Sequence, residues 1–357
     1  MKTYKKFIIL LFLKSFFNIF LIMFSLALII NLFAELDFFK NFDVSIYYPL
    51  LMSFINSPAL MFEMFPFIFL ISTQLFFLNL FNNDEIKIFK YNGLKNSNII
   101  RLISLTSFIL GLFIITLFYN FSSNLKNIYL ELKSNYTTDG KYLAVITKNG
   151  LWIKDKINEK TLIINASKFT EYYLIDAYIS EFDQDFKIIK NISSSKINIK
   201  DNLWIIENPK IFFKNEIENT NQLKLETNFN SEKIKNLFSN LSSLSLMKLI
   251  QLKKNYKELG NSLVEINLQI QKILSYPIYL LLMTVLSSII MFNSKKLKRS
   301  NIKIVVGLFI CVIIYYVNNF FNVLGSTEKI SVIMSIWTPV ILIFFMNFTM
   351  LRKINEK

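Results

Sequence analysis

IRLISLTSFILGLFIITLFYN, residues 100–120, holds one charge at its second position and is otherwise apolar or uncharged. Crossing the hydrocarbon core of a bilayer, about 30 Å, takes about 20 mostly apolar residues of helix. The stretch reads as a membrane span, and it is the one after which the chain changes character. Working outward, residues 7–33 and 50–81 qualify before it, and residues 272–292, 303–324 and 331–350 qualify after a long gap. Residues 7–33 are too long for the apolar region of a secretory signal, and no small-residue cleavage site follows, so this span is expected to be retained. Composition agrees: 53% of the 357 residues are hydrophobic and 18% are charged, against about 25% charged in a soluble protein.

A net charge of +15 first suggests nucleic acid, but its distribution argues otherwise. Residues 121–270 carry 21 lysines against 17 acids, which leaves +11 for the rest of the chain. Lys2, Lys5 and Lys6 precede the first span; Lys87, Lys90, Lys95 and Arg101 lie between the second and third. Lys295, Lys296, Lys298, Arg299 and Lys303 lie between the fourth and fifth, and Arg352, Lys353 and Lys357 follow the sixth. The alternate loops differ: residues 34–49 set Glu35, Asp37 and Asp43 against Lys40, and residues 325–330 hold one charge of each sign. With six spans every basic cluster falls on one side, which is the cytoplasmic side by the positive-inside rule. Both termini are then expected in the cytoplasm and the long gap outside it.

Within that gap, residues 136–230 alternate apolar and polar side chains in short runs: Tyr142-Leu-Ala-Val-Ile-Thr, Leu151-Trp-Ile-Lys, Thr161-Leu-Ile-Ile-Asn, Phe186-Lys-Ile-Ile-Lys and Leu203-Trp-Ile-Ile. Asn149-Gly150 predicts a hairpin turn between two of them. Several short strands predict a sandwich, jelly roll or partly open barrel. Residues 243–258 return to helical spacing through Leu244, Leu246, Leu249, Ile250 and Leu252, and Gly260-Asn261 predicts a break before the next span. A sensor domain would need only two bounding helices; three spans on each side suggest something the membrane part moves.

Much chemistry is excluded. The chain has no histidine and one cysteine, Cys311, inside an apolar run, which removes His-based acid–base work, structural zinc and an intramolecular disulfide. No P-loop, dinucleotide fingerprint or G-x-S-x-G elbow occurs. Glu63 is an ionisable group near membrane depth and hence a functional candidate; the blander reading places it at the outer interface beside Pro58 and Pro66, against a partner or water. Asn83-Asp-Glu-Ile-Lys-Ile-Phe-Lys-Tyr-Asn-Gly93 predicts a short amphipathic helix, with Asn83 as cap, Asp84 and Glu85 at the positive end and Gly93 as stop. Ile86, Phe89 and Lys90 share one face. That face suits either lipid headgroups or a groove on a cytoplasmic ATPase.

These pieces resemble the LptF/LptG (YjgP/YjgQ) family of lipopolysaccharide export permeases, over almost the whole chain. Leu32-Phe-Ala-Glu-Leu-Asp37 is similar to the family's F-V-x-x-L stretch at the end of helix 1. Glu85 followed by Lys90-Tyr-Asn-Gly93-Leu is similar to its S-E-L…A-x-G coupling helix. Asn149-Gly-Leu-Trp-Ile-Lys-Asp155 resembles the G-L-W-x-[KR]-D-G strand pair of the LptG branch. Leu244-Ser-Leu-Met-Lys-Leu-Ile250 with Tyr256-Lys-Glu-Leu-Gly260 resembles the segment leading into helix 4, where Pro277 falls on a usual proline.

The resemblance implies an α+β membrane protein of six transmembrane helices, three and three, with an inserted periplasmic β-jellyroll domain. Residues 1–120 would hold helices 1–3 and a coupling helix at about 83–93, residues 121–242 the jellyroll, and residues 243–357 a connecting helix and helices 4–6. It implies a subunit of an ABC transporter in the bacterial inner membrane, LptG-like rather than LptF-like, without a cofactor, metal or catalytic residue of its own. Its partners would be an LptB-like ATPase dimer, an LptF-like sister permease and an LptC-like periplasmic bridge protein, with lipopolysaccharide as cargo and no nucleic acid. Asp84, Glu85, Ile86, Phe89 and Gly93 would couple to the ATPase. The family's lipid-phosphate lysines near the outer end of helix 1 do not transfer, because the aligned positions read Asn31, Asp37 and Phe38; Lys40, Lys126 and Lys133 are the substitutes. The alternatives are an LptF-type subunit, a permease for another envelope lipid, or a non-transporting receptor with a β-rich ligand-binding domain.

Overall fold

The computed structural model describes residues 3–134, 136, 143–147, 150–157, 160–170, 172–213, 216–231, 234, 241–258, 262–292 and 300–355. Among them, six helices are long and apolar enough to cross a membrane: Thr3–Phe39, Tyr47–Asn82, Asn96–Lys133, Val264–Phe292, Ile302–Ser326 and Val332–Arg352. The chain divides into two compact units, Met1–Lys126 with Asn267–Lys357, and Asn127–Ile266.

In the first unit, α1 is Thr3–Phe39, α2 Tyr47–Asn82 and α3 the short Glu85–Tyr91. The third span joins α4 (Asn96–Phe113) to α5 (Tyr119–Ser134) through a π turn at Ile114–Phe118. Its buried positions step through Ser107, Gly111 and Ile114, then Tyr119, Ser122 and Ser123. Five residues instead of three or four separate Ile114 from Tyr119, and the wider turn absorbs the extra one. After the second unit come α7 (Val264–Phe292), α8 (Ser300–Ser326) and α9 (Val332–Asn355).

Two helices make the centre. Most of the apolar stretch is buried within the unit in α7 and α2, against a small part of it in α1 and in α8. Lipid tails give no hydrophobic drive for helices to associate, so small residues and polar cross-bonds hold membrane helices together, and both occur on α7. Thr284 Oγ1 donates to Ser107 Oγ at 2.9 Å, Ser287 Oγ to Leu70 O at 2.8 Å, and Asn347 Nδ2 reaches Leu282 O at 2.9 Å. Gly111 lies so close to α7 that a Cβ there would sit 2.8 Å from Pro277 Cα. Between α1 and α2, Asn31 Nδ2 donates to Ser53 O at 3.0 Å and Asn31 Oδ1 accepts from Asn56 Nδ2 at 3.1 Å. Phenylalanines fill the rest of that seam, with Phe12 edge-on to Phe76 and Phe20 stacked on Phe65.

The basic cluster at residues 295–299 lies outside the described residues. Lys303, expected beside it as a topology signal, is buried, and its ammonium donates to Met291 O at 3.1 Å, one residue from the end of α7. A cation at a helix C-terminus meets carbonyls that have no intrahelical donor.

The second unit is an antiparallel β-sheet domain inserted between the third and fourth spans. Its strands are β1 Leu143–Thr147, β2 Gly150–Ile157, β3 Lys160–Phe169, β4 Tyr173–Phe182, β5 Ile188–Asn198, β6 Leu203–Glu207, β7 Lys210–Phe213, β8 Glu216–Asn219 and β9 Gln222–Glu226. A short 3-10 turn (Leu241–Ser243) and α6 (Leu246–Glu258) follow. The sheet runs β1-β2-β3-β4-β5-β6-β9, and β7 pairs with β5 and β8. It forks along β5, where Asn191–Ser193 pair with β7 and Lys196–Asn198 with β6. At the fork Ser194 Oγ donates to Glu207 O at 2.6 Å. The expected Asn149-Gly150 turn is shifted: Gly150 is already strand, paired with Thr147, because the β1–β2 ladder runs up to it. Asn149 itself, like the Gly260-Asn261 break, lies outside the described residues.

The register puts one face of the sheet inward. Ile153, Ile164, Ile179 and Ile192 are successive partners across β2 to β5 and all are buried. Trp204 on β6 is fully buried, its indole donating to Phe229 O at 2.7 Å. One end of this face is polar. Asp155, fully buried, accepts from the Asn228 backbone at 2.9 Å and its amide at 2.8 Å. Across the sheet Glu181, also buried, is held by Lys160 at 2.7 Å and Lys190 at 3.3 Å.

Candidate functional site

The element expected to meet a motor is α3, seven residues between the second and third spans. Its start differs from expectation. Asn83 still donates its backbone N–H to Asn79 O and so closes α2, while Asp84 is the N-cap, at φ +58°. The chain must turn sharply between two helices there, and the short polar side chain of aspartate tolerates the left-handed conformation. Asp84 makes no capping bond; instead its carboxylate takes Lys87 Nζ at 2.7 Å on the exposed surface. Asn83 serves Glu85 instead, through a side-chain hydrogen bond. Burial pushes the Glu85 carboxyl above its ordinary value and the Asn83 bond opposes this; its Oε2 is buried without a hydrogen-bond partner among the described residues.

The stop is as expected. Gly93 sits at φ +77°, its N–H donates to Lys90 O at 2.9 Å, and Leu94 N donates to Phe89 O at 2.9 Å. These two bonds are the Schellman pattern, which needs a left-handed residue at this position.

The faces of α3 are divided. Ile86 is buried, and Phe89 packs edge-on to Phe7 of α1 at 6.3 Å. The apolar face seen in the sequence is thus spent on the chain's own membrane unit. Exposed on the outside are Ile88 and Tyr91, 55% and 90% accessible. The sequence reading did not single these two out, because the apolar period marks which side is buried but not what buries it.

Of the lysines proposed for lipid phosphate, Lys40 is exposed just past the end of α1. Lys126, on α5, lies within electrostatic reach of Glu63 and Lys272. Lys133, two turns further along α5, donates to Tyr129 Oη at 2.6 Å. Asn31, which the resemblance set against a family lysine, is buried and bonded to α2.

No metal-binding cluster occurs among the described residues. A comparison with curated proteins found no match. The family model of the lipopolysaccharide export system permease LptF/LptG matches residues 6–353, covering all six spans and the inserted β-domain. A multi-pass membrane protein with this layout and this match belongs to the LptF/LptG family of lipopolysaccharide export permeases.

Proposed function

We propose that this chain is the LptG-type subunit of an ATP-driven lipopolysaccharide exporter in a bacterial inner membrane. The match over residues 6–353 carries the reading, because it takes in both triplets of spans and the insert together. The basic loops support cytoplasmic termini and a periplasmic β-domain, and Gly150-Leu-Trp-Ile-Lys-Asp155 supports the LptG branch. A separate LptB-like ATPase dimer supplies the energy, an LptF-like sister permease completes the membrane pore, and an LptC-like bridge protein receives the lipid.

In this reading α3 is the coupling helix. Ile86 and Phe89 anchor it to the chain's own spans, and Gly93 sets its end. Asp84, Glu85 and the exposed Ile88 and Tyr91 meet the ATPase, where a donor reaching Glu85 Oε2 would fill its empty hydrogen-bonding position. Lys40, Lys126 and Lys133 are the phosphate candidates, ammonium groups being suited to headgroup phosphate at the interface. The missing helix-1 lysines support a second reading, a permease for another envelope lipid, with Asn31 spent on helix packing.

Detergent extraction tests the assignment. The tagged chain should bring down an ATPase and a second permease, and Glu85→Ala should cut ATPase recovery by about tenfold or more, the loss of one charge-assisted hydrogen bond. A chain that emerges alone, or a Glu85→Ala variant that keeps full ATPase recovery, sinks the coupling assignment.

A further inference from the structure

A second polar feature lies in the membrane unit, away from α3. A cavity of 280 Å³ opens between α2, α7, α8 and α9. Counting at 1.5 Å per residue from the span ends Asn82, Phe292, Ile302 and Arg352 on the basic-loop side, Glu63, Lys272 and Asn322 all lie about 30 Å away, and Ser335 about 26 Å away. That distance is one hydrocarbon core, so the cavity sits at headgroup depth on the side where the insert emerges.

Its lining is unusual for spans. Glu63 and Lys272 both face the cavity, and neither side chain makes a hydrogen bond or ion pair among the described residues. The amides of Asn319 and Asn322 are equally uncommitted, while Asn318 is bonded to the Tyr279 hydroxyl. Much of the remaining lining is aromatic: Tyr276 stacks on Phe62 at 4.6 Å, and Tyr315 tilts against Phe67 at 6.1 Å. Charged and amide groups on spans are costly unless something polar meets them. Asn31 in the same unit has both ends of its amide bonded within the protein; Glu63, Lys272, Asn319 and Asn322 have no such bond among the described residues, and Glu63 and Asn319 are exposed.

We propose that this cavity is a site for a phospholipid whose headgroup carries one primary ammonium and one phosphate, the phosphoethanolamine type. Glu63 accepts from the ammonium, Lys272 pairs with the phosphate, the asparagines bridge their oxygens, and the acyl chains leave along the aromatic wall. A simple anion would meet the Glu63 carboxylate, and a simple cation would meet Lys272 with Lys126 close by. A glycerol headgroup brings Glu63 no charge, and a choline headgroup brings no N–H. The volume lies just below the range of about 300–1,000 Å³ usual for small-molecule sites, enough for a headgroup but not for a large glycolipid. The site lies within one chain, so it does not depend on the proposed assembly with a sister permease.

The test is native mass spectrometry of the full chain released from discs containing equal parts of phosphatidylethanolamine, phosphatidylcholine and phosphatidylglycerol. Phosphatidylethanolamine should be retained about tenfold over the other two, the discrimination of one charge-assisted hydrogen bond. Glu63→Gln should abolish that preference, Glu63→Asp should keep part of it, and Lys272→Gln should lower retention of all three, with melting midpoints near that of the parent. Retention at the bulk ratio, or a preference untouched by Glu63→Gln, overturns the proposal and leaves the export reading as it was. Lipopolysaccharide added to the discs should not displace the bound lipid. Displacement would put the cavity on the cargo's own route and overturn its assignment as a separate site.

Discussion

Asp155 shows how a motif residue can be structural. Its carboxylate is fully buried and both oxygens accept from Asn228, 73 positions further on, tying the chain after β9 back onto β2. Asp155→Asn puts an N–H where an acceptor is needed, so a part-buried N–H of Asn228 loses this acceptor. The expected cost is about 1–3 kcal/mol, read as a lower denaturation midpoint by fluorescence of the buried Trp204. Glu181 makes the same end of the sheet sensitive to acid. Burial alone would raise its carboxyl, but the Lys160 hydrogen bond and the nearby Lys190 charge outweigh burial and hold it below the ordinary 4.5. A carboxyl depressed by folding adds stability above its unfolded value, and that stability is lost as pH falls through the folded one. Below pH 4.5 the parent should therefore lose stability more steeply than Glu181→Gln; parallel curves would show that the two lysines do not hold it.

At the scale of elements, the α4–α7 crossing depends on the absence of one side chain. A Cβ on Gly111 would press on the backbone of Pro277, which cannot swing aside as a side chain can. Gly111→Ala should cost about 1–3 kcal/mol by overpacking, seen as a lower melting midpoint in detergent. Gly93→Ala is the useful contrast: nothing lies within 4 Å of a Cβ there, so only the left-handed backbone opposes it, at about 1–2 kcal/mol. Equal stability of Gly111→Ala and the parent would mean the helices do not pass that closely. The six spans were legible because hydropathy and loop charge are set by the bilayer itself. Helix lengths were not: α1 runs to Phe39 where the apolar stretch ends at 33, since a helix continues past the membrane for as long as its polar residues permit. In the insert, β4 is not legible in the sequence because Asp176, at φ +49°, interrupts its alternation, and β7 and β8 are only four residues each. For α3 the sequence supplied the helix and its stop, but Ile86 and Phe89 look inward, and only the packing against Phe7 reveals Ile88 and Tyr91 as the free face.

At the scale of the whole molecule, α2 and α7 form a packed centre while α1 and α8 leave large apolar side chains exposed, among them Ile30, Phe33, Phe309 and Tyr316. Such faces suit lipid tails, as expected of a multi-pass export permease. The β-domain adds an apolar sheet face whose edge, at Leu223 and Leu225, is only partly covered. These two residues pair with Ile206 and Trp204 and so share the inward face of β6. If the chain passes lipopolysaccharide onward, lipid should touch that edge only while the motor turns. The most direct measurement places a photo-reactive residue at Leu223 or Leu225 in growing cells. The account predicts lipopolysaccharide adducts that appear with an active ATPase and vanish when ATP hydrolysis is blocked. An assembled complex that gives no such adduct at either position, or the same adduct without ATP hydrolysis, would contradict it.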